Sequence, residues 1–156
     1  MLRLLRVRDF ALMEDVVIDL EDGLTVVTGE TGAGKSMIVS AVASLCGAKM
    51  DDDVIRTGKQ SAEITGVFDI SPEVRERLVE SGIELENEMI VRRHIERGKR
   101  QNSYINDRMV SLNYLRAIAQ NMVDLIGQHE NQSLFDKKNH LILLDAYAGL
   151  DELKAD

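Results

Sequence analysis

Gly29-Glu30-Thr31-Gly32-Ala33-Gly34-Lys35-Ser36 satisfies the phosphate-binding loop spacing G-x-x-x-x-G-K-[ST] at every fixed position. Each fixed residue has a physical task. Glycines admit positive φ and let a ligand approach the backbone closely. Consecutive N–H groups can then turn inward as an anion nest. Lys35 adds a point charge where β- and γ-phosphates would lie. The Ser36 hydroxyl offers one oxygen ligand to Mg²⁺, an ion that keeps several waters and also takes phosphate oxygens. A helix starting here aims its positive end at the same anion.

The flanks agree with that reading. Leu24-Thr25-Val26-Val27-Thr28 is a short apolar, β-branched run immediately before the loop, and predicts a buried strand. After the loop, Met37, Ile38, Ala41, Val42 and Leu45 recur at helical spacing, with Gly47 as the residue that ends the helix. The predicted order is strand, glycine loop, helix, as the motif requires.

Farther out, residues 2–8 and 16–20 read as strands around a turn at residues 9–15, and Glu21-Asp22-Gly23 turns the chain into the loop strand. Residues 48–60 form a polar connection. Ala62, Ile64, Gly66, Val67 and Phe68 predict a strand with imperfect alternation. Ser71-Pro72-Glu73 is a helix start, with an N-cap serine, a first-turn proline and an acid, and Ser81-Gly82 is its stop. Residues 89–95 and 101–105 predict a hairpin joined through Arg97-Gly98-Lys99-Arg100, followed by a turn at Asn106-Asp107. Ser111 caps a helix over 112–121. Met122-Val123-Asp124-Leu125-Ile126 predicts a buried strand that ends at Gly127-Gln128, and residues 137–148 predict a helix. Hairpins beside a phosphate-loop unit give an α/β class with an antiparallel β portion.

Composition bounds the function. The 156 residues suffice for a domain with a real core, at 44% hydrophobic and 29% charged residues. The formal net charge of −8 argues against a general nucleic-acid binder, which needs clustered Lys and Arg. Arg92, Arg93, Arg97, Lys99 and Arg100 form the dense basic stretch, yet strand alternation puts Arg92 and Arg93 on opposite faces. No apolar run approaches the length of a membrane span, so no membrane partner is expected. Arginines interrupt the N-terminus too early for a signal peptide. The single Cys46 excludes an internal disulfide and fits a reducing cytoplasm.

In register and in order, several stretches resemble the start of bacterial RecN proteins. They are the run from Gly23 through Ser36, Val7-Arg8-Asp9-Phe10-Ala11-Leu12, Val54-Ile55-Arg56-Thr57-Gly58, Ser103-Tyr104-Ile105-Asn106 and, most specific, Asp124-Leu125-Ile126-Gly127-Gln128-His129-Glu130-Asn131-Gln132. That family repairs DNA double-strand breaks and is SMC-like, with an ABC-type ATPase head split by a long coiled coil. The resemblance implies a P-loop NTPase fold of ABC/SMC-head type. Residues 1–156 would be the N-terminal lobe of the head, stopping about where the coiled coil should begin. It implies ATP and Mg²⁺ as cofactors, held by Gly29, Glu30, Thr31, Gly32, Ala33, Gly34, Lys35 and Ser36. Gln128 would touch the metal and position the attacking water. Arg56 would approach the phosphates or the head-to-head surface, and Arg8 could lie near the nucleotide. Implied partners are the C-terminal half of the same head, a second head and DNA, in the cytoplasm at the nucleoid.

Plainer readings stand beside these. Gln128 also reads as a polar turn residue, Arg56 as a solvated loop arginine, and the basic stretch as a solvated hairpin. Leu141-Ile142-Leu143-Leu144-Asp145 mimics the strand and Asp that hold Mg²⁺ in many P-loop enzymes. Ala146 follows where a catalytic Glu belongs, and the spacing suits a helix face. His129-Glu130 lacks the second His of a zinc-protease motif, since Ser133 occupies its place. Two rivals remain: a self-contained P-loop kinase or phosphotransferase with Asp145 on the metal, and a non-hydrolysing scaffold that ATP gates.

Overall fold

The computed structural model describes residues 1–30, 34–85, 87–119, 122–123 and 144. The chain divides into two units, Met1–Val123 and Asp124–Asp156. Of the second unit only Leu144 is described; it is helical and exposed. The expected strand over 124–126, Gln128, Asp145 and the remainder of the expected helix at 137–148 lie outside the described residues.

The first unit is built on a six-stranded sheet in the order β2-β1-β3-β4-β5-β6. The strands are β1 (Leu2–Phe10), β2 (Met13–Asp19), β3 (Ser61–Asp69), β4 (Glu88–Glu96), β5 (Asn102–Ile105) and β6 (Arg108–Val110). Every neighbouring pair is antiparallel. Among the described residues of this unit the helices are α1 (Lys35–Leu45), α2 (Pro72–Glu80) and α3 (Leu112–Ala119), with a 3₁₀ turn at Asp52–Val54.

Alternation sorts the sheet into a dry and a wet face. Ala62, Ile64 and Phe68 of β3 and Met89, Val91, Arg93 and Ile95 of β4 are buried. With Leu5 and Val7 of β1 and Ile105 of β5, the apolar members join one core with Ala41 and Leu45 of α1, Val74 and Leu78 of α2, and Leu115 and Ile118 of α3. β3 alternates without a break, so the imperfection expected from Val67 is absent: Val67 is only partly buried. In β1 the phase slips once. Asp9 takes φ +50°, and Phe10 rather than Asp9 enters the core.

The wet face carries charge pairs that run diagonally between strands, Arg6 standing opposite Val17 and Arg92 opposite Thr65, with a further pair to the Asp107 turn. Arg6 donates to Asp15 at 2.8 and 3.0 Å, and Arg92 lies 3.6 Å from Glu63 and 3.2 Å from Asp107. The Arg92 guanidinium also stands 4.4 Å over the Tyr104 ring. Its Arg6 partner holds the Asp15 carboxyl below the usual carboxylate range. Each exposed pair is worth little on its own.

The caps behave as their residue types predict. Ser71 Oγ accepts from the Val74 N–H, with Pro72 at the first turn, and Ser111 Oγ accepts from the Tyr114 N–H at 3.1 Å. At the end of α1, Gly47 at φ +89° gives its N–H to Ser44 O while the Ala48 N–H reaches Ala43 O, a Schellman stop. A Cβ on Gly47 would also meet the Arg116 backbone at 3.2 Å, so packing and conformation both require glycine there.

One strand expectation fails, and another is not met at the two of its residues that are described. Residues 24–28 form no strand, and Leu24, Val26 and Val27 are 91%, 69% and 48% exposed. β propensity is realised only by pairing and burial, and no described strand pairs with this run. Met122 and Val123 are not in a strand: both N–H groups return to the carbonyl oxygen of Ala119, the last residue of α3. The hairpin β1–β2 is tighter than expected. Both strands run farther, and only residues 11–12 remain as the turn.

Candidate nucleotide site

The loop passes into α1 through Gly34, which adopts φ +94° as the N-cap residue, a left-handed conformation that favours glycine. No side chain caps this helix end, and its first turn holds no acidic residue. A helix end of this kind can receive an anion. Lys35 folds back over the loop: its ammonium donates to Gly29 O and, at 2.7 Å, to Glu30 O. Ser36 is exposed at the first turn, and its carbonyl accepts from Ser40 Oγ at 2.9 Å. Gly29, Glu30, Gly34, Lys35 and Ser36 are thus brought together. Thr31, Gly32 and Ala33 lie outside the described residues.

These residues fit a phosphate chain with Mg²⁺. The ammonium sits on backbone carbonyls that a phosphate oxygen can replace as acceptor. The helix end is uncapped, and the Ser36 hydroxyl is open to a hard cation.

Sequence reasoning missed one wall of this site. A cleft of about 430 Å³ lies between residues 12–16 of the β1–β2 hairpin and Gly34 and Ile38 of the loop–helix unit. A Cβ on Gly34 would stand 3.8 Å from Met13 Cε, so the hairpin packs beside the last glycine of the loop. The signal lay in residues 9–15, which read only as a turn; the apolar Leu12 and Met13 had no visible task there.

Arg56 is placed against this hairpin. Its Nη1 donates to Leu12 O at 2.6 Å, and its Nη2 lies 3.8 Å from Glu14 Oε2. Arg8 lies on the wet face of β1, 3.6 Å from Asp15. The basic stretch is split as alternation required: Arg92 is paired on the wet face, Arg93 is buried, and Arg97, Lys99 and Arg100 are exposed around the β4–β5 turn. Among the described residues no helix is long and apolar enough to cross a membrane, and no group of His, Cys, Asp and Glu is arranged to hold a metal ion.

With loop, helix and cleft in place, comparison with known proteins is decisive for the family. Residues 2–154 match the family model described as AAA domain. The chain belongs to the AAA domain family. This AAA domain is 40% identical to the DNA repair protein RecN of Halalkalibacterium halodurans over 159 residues, covering 96% of the chain and 28% of that protein. It is also 40% identical to RecN of Bacillus subtilis strain 168, covering 97% of the chain and 27% of the relative. The similarity is to the N-terminal part of RecN, and the chain spans 27–28% of the length of these curated relatives.

Solved structures place the fold of this AAA domain among P-loop ATPase heads of SMC type. A chain from a structural study of ATP-driven dimerization and DNA-stimulated activation of SMC ATPases superposes with TM-score 0.64 at 21% identity, over 97% of this chain and 98% of that one. The recombination mediator RecF with ATP gives TM-score 0.63 at 14% identity, over 97% of this chain and 43% of that one. The SMC head domain from Thermotoga maritima gives 0.58 at 24% identity, over 74% of this chain and 41% of that one.

Proposed function

We propose that this AAA domain is the N-terminal part of an ATP-binding head that serves DNA double-strand-break repair in the manner of RecN. The observation that carries the reading is the junction at Gly34: a left-handed glycine opens an uncapped helix with Lys35 turned over the loop. The similarity to RecN over nearly the whole chain adds the repair role.

In this reading residues 29–36 wrap the phosphates of ATP. Lys35 leaves the carbonyls of Gly29 and Glu30 for phosphate oxygens, a charge-assisted exchange. The first N–H groups of α1 face the same anion. Ser36 holds Mg²⁺ from one side, and the ion would neutralise phosphate charge. The cleft beside Gly34 and Ile38 takes the nucleoside; its size lies in the range of small-molecule sites. Gln128 orients water, an assignment that rests on its place in the Gly-Gln-His-Glu-Asn-Gln segment. The remaining groups come from the C-terminal half of the head and from a second head, and DNA is engaged by the assembled protein in the cytoplasm.

Calorimetric titration with ATP and Mg²⁺ tests the loop. Lys35→Ala removes one charge-assisted contact and should weaken binding by roughly 1.5–3 kcal/mol. Equal affinity in the folded variant and the unaltered chain would refute the assignment.

A further inference from the structure

We propose that Arg56 is a positioning residue for the nucleotide site: it braces the β1–β2 hairpin wall of the cleft and does not itself meet the phosphates. The inference rests on the ATP-binding reading above and adds the device that shapes the nucleoside end of that site.

The hairpin turn is strained. Asp9 and Ala11 take φ +50° and +49°, the left-handed region that costs a residue with a Cβ roughly 1 kcal/mol. Such a turn persists only when its surroundings over-determine it, and the segment after the 3₁₀ turn does so. The Ala11 N–H donates to Val54 O at 2.6 Å, the Arg56 N–H donates to Asp9 O at 2.9 Å, and Phe10 bridges Ile55. Lys59 pairs with Asp9 at 3.1 Å.

These contacts hold residues 9–11. The cleft, however, is lined by the residues after them. From residue 13 on, the β1–β2 ladder holds the wall, and the Arg56 side chain holds its Leu12 corner: its guanidinium donates to Leu12 O and faces the Glu14 carboxylate. Leu12 and Glu14 both line the cleft, and Arg56 does not. A guanidinium already committed to a carbonyl and a carboxylate is a fork in use. Its removal frees the Leu12 carbonyl and the Glu14 side chain and leaves the backbone bonds of residues 9–11 and the β1–β2 ladder in place, so the fold survives and the wall loosens at the Leu12 corner.

Paired ligands separate a brace from a phosphate contact. ATP fills the loop and the cleft, whereas inorganic tripolyphosphate fills the loop alone. In Arg56→Ala, ATP affinity should fall about tenfold, and tripolyphosphate affinity should stay within about twofold. Arg56→Lys, whose ammonium can still reach Leu12 O, should recover part of the ATP affinity, and it carries the test if the alanine variant does not fold. Equal losses for both ligands would place Arg56 on the phosphates and overturn the inference, as would unchanged affinity for both. Failure of the loop reading looks different: tripolyphosphate would then not bind the unaltered chain, or would bind Lys35→Ala equally well, and this inference would fall with it.

Discussion

Arg93 shows how far one position can depart from the rule for its type. Arginine is rarely buried without a pair, yet Arg93 is 0% exposed on the core face of β4. Its Nη2 donates to Gln101 Oε1 at 2.8 Å and its Nη1 to Ser44 O at 3.3 Å, while Nε has no partner. Burial, and then the neighbouring charge of Arg116, push its pKa down to about 10, so it stays charged at neutral pH. The location eases the cost. Ser44 O belongs to the last turn of α1, where backbone carbonyls carry negative partial charge, and Arg116 serves the same end by donating to Gly47 O at 2.8 Å. Ser44 O nevertheless has another donor, the Gly47 N–H, and Gln101 lines an open cleft where water can replace the guanidinium. Removing the charge while keeping the bulk should therefore be tolerated. Arg93→Met should lie within about 1 kcal/mol of the unaltered chain in urea unfolding, or above it. Arg93→Ala should lose about 2–4 kcal/mol, because the volume goes as well. Equal losses in the two variants would mean that the hydrogen bonds, and not the bulk, hold this part of the core.

At the scale of elements, α1 lies against β3 at Gly66. A Cβ there would come within 2.5 Å of Leu45 Cδ1 and 2.9 Å of Phe68 Cε2. The glycine is needed for close approach, so Gly66→Ala should overpack the α1–β3 contact and cost about 1–3 kcal/mol. Thermal melting reads that loss; an unchanged midpoint would show that Leu45 and Phe68 swing aside freely. The same element explains what could be read from the chain. Alternation of Ala62, Ile64, Gly66 and Phe68 announced β3, and Ser71-Pro72 and Ser111 announced α2 and α3, because caps and period are local properties. The loop and the start of α1 were legible for the same reason: their chemistry is written in consecutive residues. Residues 24–28 misled because a β-branched run states a preference and cannot supply a partner strand. The hairpin wall of the cleft was illegible because its approach to Gly34 is a long-range contact, and because Ala11 gives no hint that it will adopt a left-handed turn.

The whole molecule sets the limit on chemistry. Hydrolysis at a phosphate loop needs positioned phosphates, a metal held from two sides, an oriented water and charge stabilisation in the transition state. In the proposed mechanism residues 29–36 serve the first, Ser36 serves half of the second, and Gln128 serves the third. The Asp145 stretch does not offer the metal-side pair: Ala146 follows Asp145, and the spacing suits a helix. In the proposed reading the metal-side carboxylates come from the C-terminal half of the head, and a second head completes the site across the nucleotide. Residues 1–156 should therefore bind ATP weakly and release phosphate at a negligible rate. Adding the C-terminal half should restore turnover that rises more steeply than linearly with head concentration, because two heads must meet for each site. The measurement is phosphate release with Mg²⁺, with Lys35→Ala as the control for contaminating activity. Robust, Lys35-dependent turnover by residues 1–156 alone would mean that the site is complete within this chain, and Asp145 would then have to hold the metal as in a self-contained phosphotransferase.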